Sequence, residues 1–200
     1  MGVSVNLARF LLGLTRPSQA ANTRRLRERG EPLASLTVRD AAASDIAALA
    51  RLHVETWNDT YPLVRAKPTY GIREHQWREA FASADGSWFA VVLARPNGEL
   101  VGFAKGTRSG HPEFPGELNK IYLRRDYQRL GLGRRLVGHV VRRFVSQRVA
   151  SMILFADPRN PSCAFFEALG AERVPDDAGR FHGAYGWRDL PRLARRCPID

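Results

Sequence analysis

The chain has 200 residues, 44% of them hydrophobic, which suits one domain with a sizeable core and leaves no need for disulfide or metal staples. Cys163 and Cys197 form neither a disulfide framework nor a zinc pattern, and His53, His75, His111, His139 and His182 lack ligand spacing, so a reduced, metal-free cytoplasmic protein is expected. The net charge of +11 comes almost wholly from arginine, since Lys67, Lys105 and Lys120 are the only lysines, and it points to an anionic partner.

Residues 1–34 read as a flexible extension, with a short amphipathic piece from Val5 to Leu14, a break at Arg16-Pro17-Ser18 and a polar stretch from Asn22 to Glu31. The first acidic residue is Glu28, as in a transit peptide, but serine is sparse and a disordered arm or a translated upstream segment is the preferred reading. No run approaches transmembrane length, so a membrane partner is not expected. From Leu36 strand and helix signals alternate. Leu36 to Arg39 is a short strand, and Ser44-Asp45 caps a helix carrying Ile46, Leu49, Leu52 and Trp57 near helical spacing. A helix over Arg73 to Ala82 precedes two strands, Trp88–Leu93 and Leu100–Thr107, joined through Asn97-Gly98, a strong hairpin signal. Glu117 to Leu123 is the next strand. Leu132, Leu136, Val137, Val140, Val141, Phe144 and Val145 then form one apolar stripe on a long helix. Met152 to Phe155 is a strand, Pro161 to Leu169 a helix ending at Gly170, and Ala171–Val174 with His182–Trp187 a closing pair.

The strand–loop–helix junction from Glu117 to Val137 carries the chemistry. Gly131 and Gly133 let backbone approach a ligand, and N–H groups at a helix start lack intrahelical partners and can face an anion. Arg129, Arg134 and Arg135 lie near the positive end of that helix dipole, where a cation is disfavoured by roughly 0.3–1 kcal/mol unless something negative is close. Their placement fits a pyrophosphate. Between Lys105 and Arg148 eleven basic residues stand against Glu113, Glu117 and Asp126, a local net of +8. Aromatic residues are not interleaved with these cations, so nucleic acid is not the expected partner. The three-glycine dinucleotide fingerprint and the Gly-Lys-Ser/Thr of a P-loop are both missing.

Gln128-Arg129-Leu130-Gly131-Leu132-Gly133 resembles the Q/R-x-x-G-x-G/A motif of the GNAT N-acetyltransferase superfamily, with Tyr122-Leu123 before it and Leu136 after it at the expected distances. His53-Val54-Glu55-Thr56-Trp57 with Thr60-Tyr61, Phe165-Phe166-Glu167-Ala168-Leu169-Gly170 and Ala184-Tyr185-Gly186-Trp187 are similar to further blocks of that family in the same order, so the resemblance covers about Leu36 to Leu190. It implies an α/β fold: a mixed sheet of about six or seven strands, antiparallel in its N-terminal part, with a parallel strand–helix–strand crossover at the cofactor site. The domain would span 35–190, with a C-terminal tail from 191 to 200. The implied activity is transfer of acetyl from acetyl-CoA, a co-substrate, to a primary amine of a small molecule or protein by direct attack, without metal. A homodimer is compatible with it.

The resemblance also distributes roles. Ile121, Tyr122 and Leu123 would pair their backbone with the pantetheine arm, as an extended amide chain adds to an open sheet edge. Gln128, Arg129, Leu130, Gly131, Leu132, Gly133 and Arg134 would hold the pyrophosphate. Asn160 would contact the cofactor, although an asparagine before Pro161 is also an ordinary helix cap. Glu117 is the candidate base, directly or through a water, and the N–H of Leu123 the candidate oxyanion donor. Where many members carry a tyrosine as acid, this chain has Phe166. Tyr122, Tyr185 or solvent would then protonate the thiolate, and a CoA-binding regulatory protein without turnover is the alternative. Trp57 and Tyr61, with Asp59 and Tyr70, are candidates for the acceptor wall.

Overall fold

The structure is a computed structural model that describes residues 18–62, 64–83, 85–160 and 162–199; the expected Val5–Leu14 piece lies outside the described residues. Seven strands form one sheet in the order β1-β2-β3-β4-β5-β7-β6. They are β1 (Thr37–Asp40), β2 (Trp88–Ala94), β3 (Leu100–Arg108), β4 (Gly116–Leu123), β5 (Met152–Phe155), β6 (Glu172–Val174) and β7 (Ala184–Trp187). Strands β1 to β4 pair antiparallel, β4 and β5 pair parallel, and β5, β7 and β6 pair antiparallel again. This is the mixed sheet with a parallel crossover that the sequence implies.

The α-helices are α1 (Gln19–Glu28), α2 (Ile46–Thr60), α3 (Tyr70–Ala82), α4 (Leu132–Ser146), α5 (Cys163–Ala168) and α6 (Leu190–Arg196). Helices cover both faces of the sheet, which is why β2 reads as an unbroken apolar run. Its Phe89, Val91 and Leu93 join Leu118, Leu136, Val140 and Phe144 in one core, under α4. Ala90, Val92 and Ala94 point the other way, into a second core with Leu49, Leu52, Trp77 and Phe103 under α2 and α3. Asp45 departs from its expected role. Its carboxylate turns back to accept from the Ala42 N–H at 2.9 Å and from Arg39 at 2.7 and 2.8 Å, instead of capping α2.

Residues 18–34 and 191–199 are built into the domain. Residues 18–34 carry α1, capped by Ser18, and the side chains of Asn22 and Leu26 are buried. Asn22 Nδ2 donates to the carbonyls of Arg125 and Gln128, each at 2.9 Å, and Glu31 accepts from Tyr127 Oη and Arg95 Nε, each at 3.0 Å. A flexible extension therefore does not describe residues 18–34; so polar a helix is held by two inward positions one turn apart. At the other end α6 is capped by Asp189 and places Leu190, Leu193 and Cys197 at helical spacing in the core. Arg142 of α4 donates to the carbonyls of Cys197 and Ala194 at 2.7 and 3.1 Å, so the segment from 191 is packed on α4 and is no free tail.

Candidate active site

The sheet opens at its centre. β4 and β5 pair only at Gly116–Met152 and Glu117–Ile153, so from Leu118 onward β4 has no partner on that side. Backbone direction follows from one bond. The Arg124 N–H donates to Val101 O at 2.8 Å, and in an antiparallel ladder alternate residues face the same neighbour. Tyr122 and Lys120 therefore spend their backbone groups on β3, while Ile121 and Leu123 turn theirs into the gap. The expected edge of Ile121, Tyr122 and Leu123 is reduced to the first and the last, because the pleat sends the middle residue the other way.

Directly beyond this edge lies the glycine loop. Gly131 caps α4 with φ 83°, a left-handed conformation that disfavours any side chain, and nothing lies within 4 Å of the place its Cβ would take. Gly133 is different: a Cβ there would meet the Phe165 ring at 3.3 Å and Leu123 at 3.6 Å, so it lets α4 sit close to α5 and β4. Arg129 also has positive φ, 64°, which costs energy for a residue with a Cβ and marks the loop as a strained turn. The first turn of α4 holds no acidic residue. Among the described residues the exposed Arg129 and Arg134 make no hydrogen bond or ion pair. Arg135 does: it donates to Ile199 O at 2.9 Å and Leu36 O at 2.8 Å, which removes it from the expected phosphate set. Gln128 is likewise structural in its side chain, whose Nε2 donates to Leu123 O at 2.9 Å and ties loop to strand. Leu132 is buried and Leu130 half-buried against the core, so both offer the loop only backbone.

On the α2–α3 face the strands carry polar residues at the level of the gap. β4 contains a bulge: Lys105 pairs with Lys120 and Gly106 with Leu118, leaving Asn119 unmatched. The extra residue sends Leu118 into the α4 core and Glu117 to the opposite face, toward Lys105 and Lys120. Glu117 Oε1 accepts from Asn119 Nδ2 at 2.7 Å. Above Tyr122 lies the buried His53, its ring 5.2 Å from Tyr122 and 5.3 Å from Phe103. Burial first, then the charges of Arg73, Lys120 and Lys105, push the His53 pKa down to about 3, so it is neutral. Burial raises the Tyr122 phenol to about 12.

The C-terminal end of α2 closes this face. The rings of Trp57 and Tyr61 are tilted at 44° with their centres 5.1 Å apart, and the Tyr61 hydroxyl accepts from Asn160 Nδ2 at 3.0 Å across the gap. Asn160 Oδ1 accepts from the Ser162 N–H at 2.9 Å, so its amide joins a predicted cofactor position to a predicted acceptor position. Tyr70 lies under the Arg51 guanidinium, 5.6 Å from its ring centre, and Asp59 is exposed; neither joins the Trp57–Tyr61 wall. Phe166 is 4% exposed and packs edge-on against Phe165 and Trp187, with Tyr185 at 6.1 Å. Tyr185 is 1% exposed in the same core. Among the described residues no group of three or more His, Cys, Asp or Glu could hold a metal ion, and no helix is long and apolar enough to cross a membrane.

The family model for GNAT acetyltransferases matches residues 46–171, from the start of α2 to the end of the Phe166 core. The chain belongs to the GNAT acetyltransferase family, and its class of enzyme is N-acetyltransferase. Over 168 residues, 79% of this chain and 96% of the relative, it is 30% identical to the uncharacterized N-acetyltransferase YuaI of Bacillus subtilis (strain 168). In structure it is similar to the PaiA N-acetyltransferase of Thermoplasma acidophilum in complex with coenzyme A, with TM-score 0.64, 16% identity and coverage of 77% and 99% of the two chains. It is also similar to the ribosomal-protein-S5-alanine acetyltransferase of Vibrio fischeri, with TM-score 0.62, 18% identity and coverage of 78% and 93%.

Proposed function

We propose that this acetyltransferase takes acetyl-CoA in the gap between β4 and β5 and transfers the acetyl group to a primary amine presented on the α2–α3 face. The observation that carries the reading is the continuity of the backbone edge of Ile121 and Leu123 with the open, acid-free start of α4 at Gly131. An extended amide arm finds the N–H and C=O of Ile121 and the N–H of Leu123 open on the strand, the Leu123 carbonyl being held by Gln128, and a pyrophosphate finds N–H groups and two uncommitted arginines at its end. The co-substrate supplies an activated acyl group on sulfur.

The chain supplies the rest. Glu117, brought to this face by the bulge, accepts the proton the ammonium must lose, directly or through one water. The N–H of Leu123 polarises the thioester carbonyl. A C–N bond forms, the C–S bond breaks, and the departing thiolate takes a proton. We assign that proton to Tyr61. A hydroxyl accepting from Asn160 keeps its own hydrogen for donation, and Tyr61 is half-buried at the gap, whereas Tyr185 is sealed in the core. Tyr122 faces His53 and the second core, which suits it to shape the pocket floor. Phe166 packs in the core and supplies no hydroxyl, so a CoA-binding protein without turnover is the second reading, which thiol release decides.

Thermal melting with acetyl-CoA, then free-thiol release over an amine panel, tests the reading. A rise in melting temperature and amine-dependent thiol release are expected; no shift at millimolar acetyl-CoA sinks it.

A further inference from the structure

The α2–α3 face carries more positive charge than the transfer chemistry needs. Lys105 and Lys120 are direct cross-strand partners on β3 and β4, a like-charge pairing that destabilises a sheet. They are two of the three lysines in the chain, and both are half-buried. Arg73 of α3 adds a third cation close enough to depress Lys120 and His53. One carboxylate, Glu117, offsets the two lysines.

Lys120 Nζ donates to Asn119 Oδ1 at 2.7 Å and an Arg73 N–H to Gln76 Oε1 at 2.8 Å; the other polar groups of the pocket are mostly donors without acceptors. The Lys105 ammonium is held over the rings of Trp88 and Trp77, 4.9 and 5.8 Å from their centres, and makes no hydrogen bond among the described residues. Arg73 Nε and the indole nitrogens of Trp77 and Trp88 are buried without an acceptor. His53 Nδ1 is buried without a partner too, on a side chain only 2% exposed. Buried donors and like charges of this kind are retained at a cost unless a ligand satisfies them. A polyamine or other purely cationic acceptor would add to the repulsion.

We propose that the acceptor is a small amine that also bears an anionic group, carboxylate or phosphate type, and that Lys105, Lys120 and Arg73 hold that group while the amine lies near Glu117. This rests on the acetyltransferase reading of the same site and narrows its substrate class. Cations on the rim of α3 and in the middle of β3 and β4 set the distance from anion to amine, which favours short acceptors such as α-amino acids or aminoalkylphosphonates. The lysine stems also line the wall against Trp77 and Trp88, so recognition combines a charge pair with an apolar side.

The test pairs each amine with a neutral counterpart. Free-thiol release is measured with acetyl-CoA and the common α-amino acids, their carboxamides, aminoalkylphosphonates and linear polyamines, while acetyl-CoA binding is followed separately by thermal melting. The acids or phosphonates should exceed their neutral counterparts at least tenfold in kcat/KM, and the better of the two series identifies the anion. Lys105→Met and Arg73→Met should raise the acceptor KM at least tenfold, bring the acid-to-amide ratio toward one and leave the acetyl-CoA affinity unchanged. Lys105→Met should also raise the melting temperature of the unliganded protein by relieving the like-charge pair, a readout that does not depend on turnover. Titration with inorganic phosphate, followed by tryptophan fluorescence, should change the signal of the parent protein and lose that change in Lys105→Met. Preferred turnover of amides or polyamines overturns the anionic acceptor and leaves the acetyltransferase reading intact. Absence of both acid turnover and the phosphate response overturns it as well, whereas failure to bind acetyl-CoA is a failure of the underlying reading.

Discussion

Gly131 shows how much one position can determine. Its left-handed backbone and the empty space beyond it mean that a side chain would be strained and would project where phosphate approaches. Gly131→Asp should weaken acetyl-CoA binding at least tenfold, about 1.4 kcal/mol, by calorimetric titration, with a folded far-ultraviolet spectrum retained. Glu117→Gln should lower kcat by about 10²–10⁴ and leave acetyl-CoA affinity unchanged; normal turnover near neutral pH ends its role as base. Tyr61→Phe removes the hydroxyl that Asn160 meets, and should lower kcat more than acceptor KM. Such residues differ in how far sequence reveals them. The turn from Gln128 to Gly133 is legible as a strand-to-helix junction because its glycines and the apolar runs on either side are local signals. The Tyr61–Asn160 bond joins positions 99 apart, and no local pattern records it. Lys105 and Lys120 left a fainter signal, as lysines inside strands of an arginine-rich chain, but their opposition depends on a register that only the folded sheet sets.

At the scale of elements the bulge in β4 decides which face of the sheet Glu117 joins. Side chains alternate along a strand, so one unmatched residue at Asn119 moves everything before it to the other side. Strand β4 is legible in its composition, yet a bulge leaves no mark in the apolar pattern of so short a segment. The long stripe of α4 is the most legible element, because Leu132, Leu136, Val137, Val140, Val141 and Phe144 recur at one period and are buried; Val145, the seventh expected position, is 37% exposed at the end of the helix. Helix α1 was the hardest: arginine-rich, with a buried asparagine where an apolar residue would have advertised a core position. Its docking has a measurable worth. Asn22→Ala leaves two carbonyls without their donor, which should cost roughly 1–3 kcal/mol and lower the melting temperature by about 2–10 °C. Because those carbonyls belong to the turn leading into the glycine loop, acetyl-CoA affinity should fall in the same variant.

For the whole molecule, buried His53 links folding to acidity. Its folded pKa of about 3 lies below the ordinary 6.5, so between these values the unfolded chain binds the extra proton. The stabilisation is present above pH 6.5 and is lost as pH falls toward 3, with a slope of at most about 1.4 kcal/mol per pH unit from this one group. Thermal melts at pH 7, 6, 5 and 4 should show a steeper acid loss for the parent protein than for His53→Leu; parallel curves would remove His53 from the account.

The two ends of the described chain meet at one helix start. Asn22 grips the turn before the glycine loop, and Arg135, one turn into α4, grips the carbonyl of Ile199. That loop is therefore mechanically continuous with both ends of the described chain. Acetyl-CoA should slow proteolytic nicking on either flank, around Arg27–Glu31 and Arg195–Arg196, and a bulky fusion seated against either flank should act on the cofactor loop as a weak competitive modulator would.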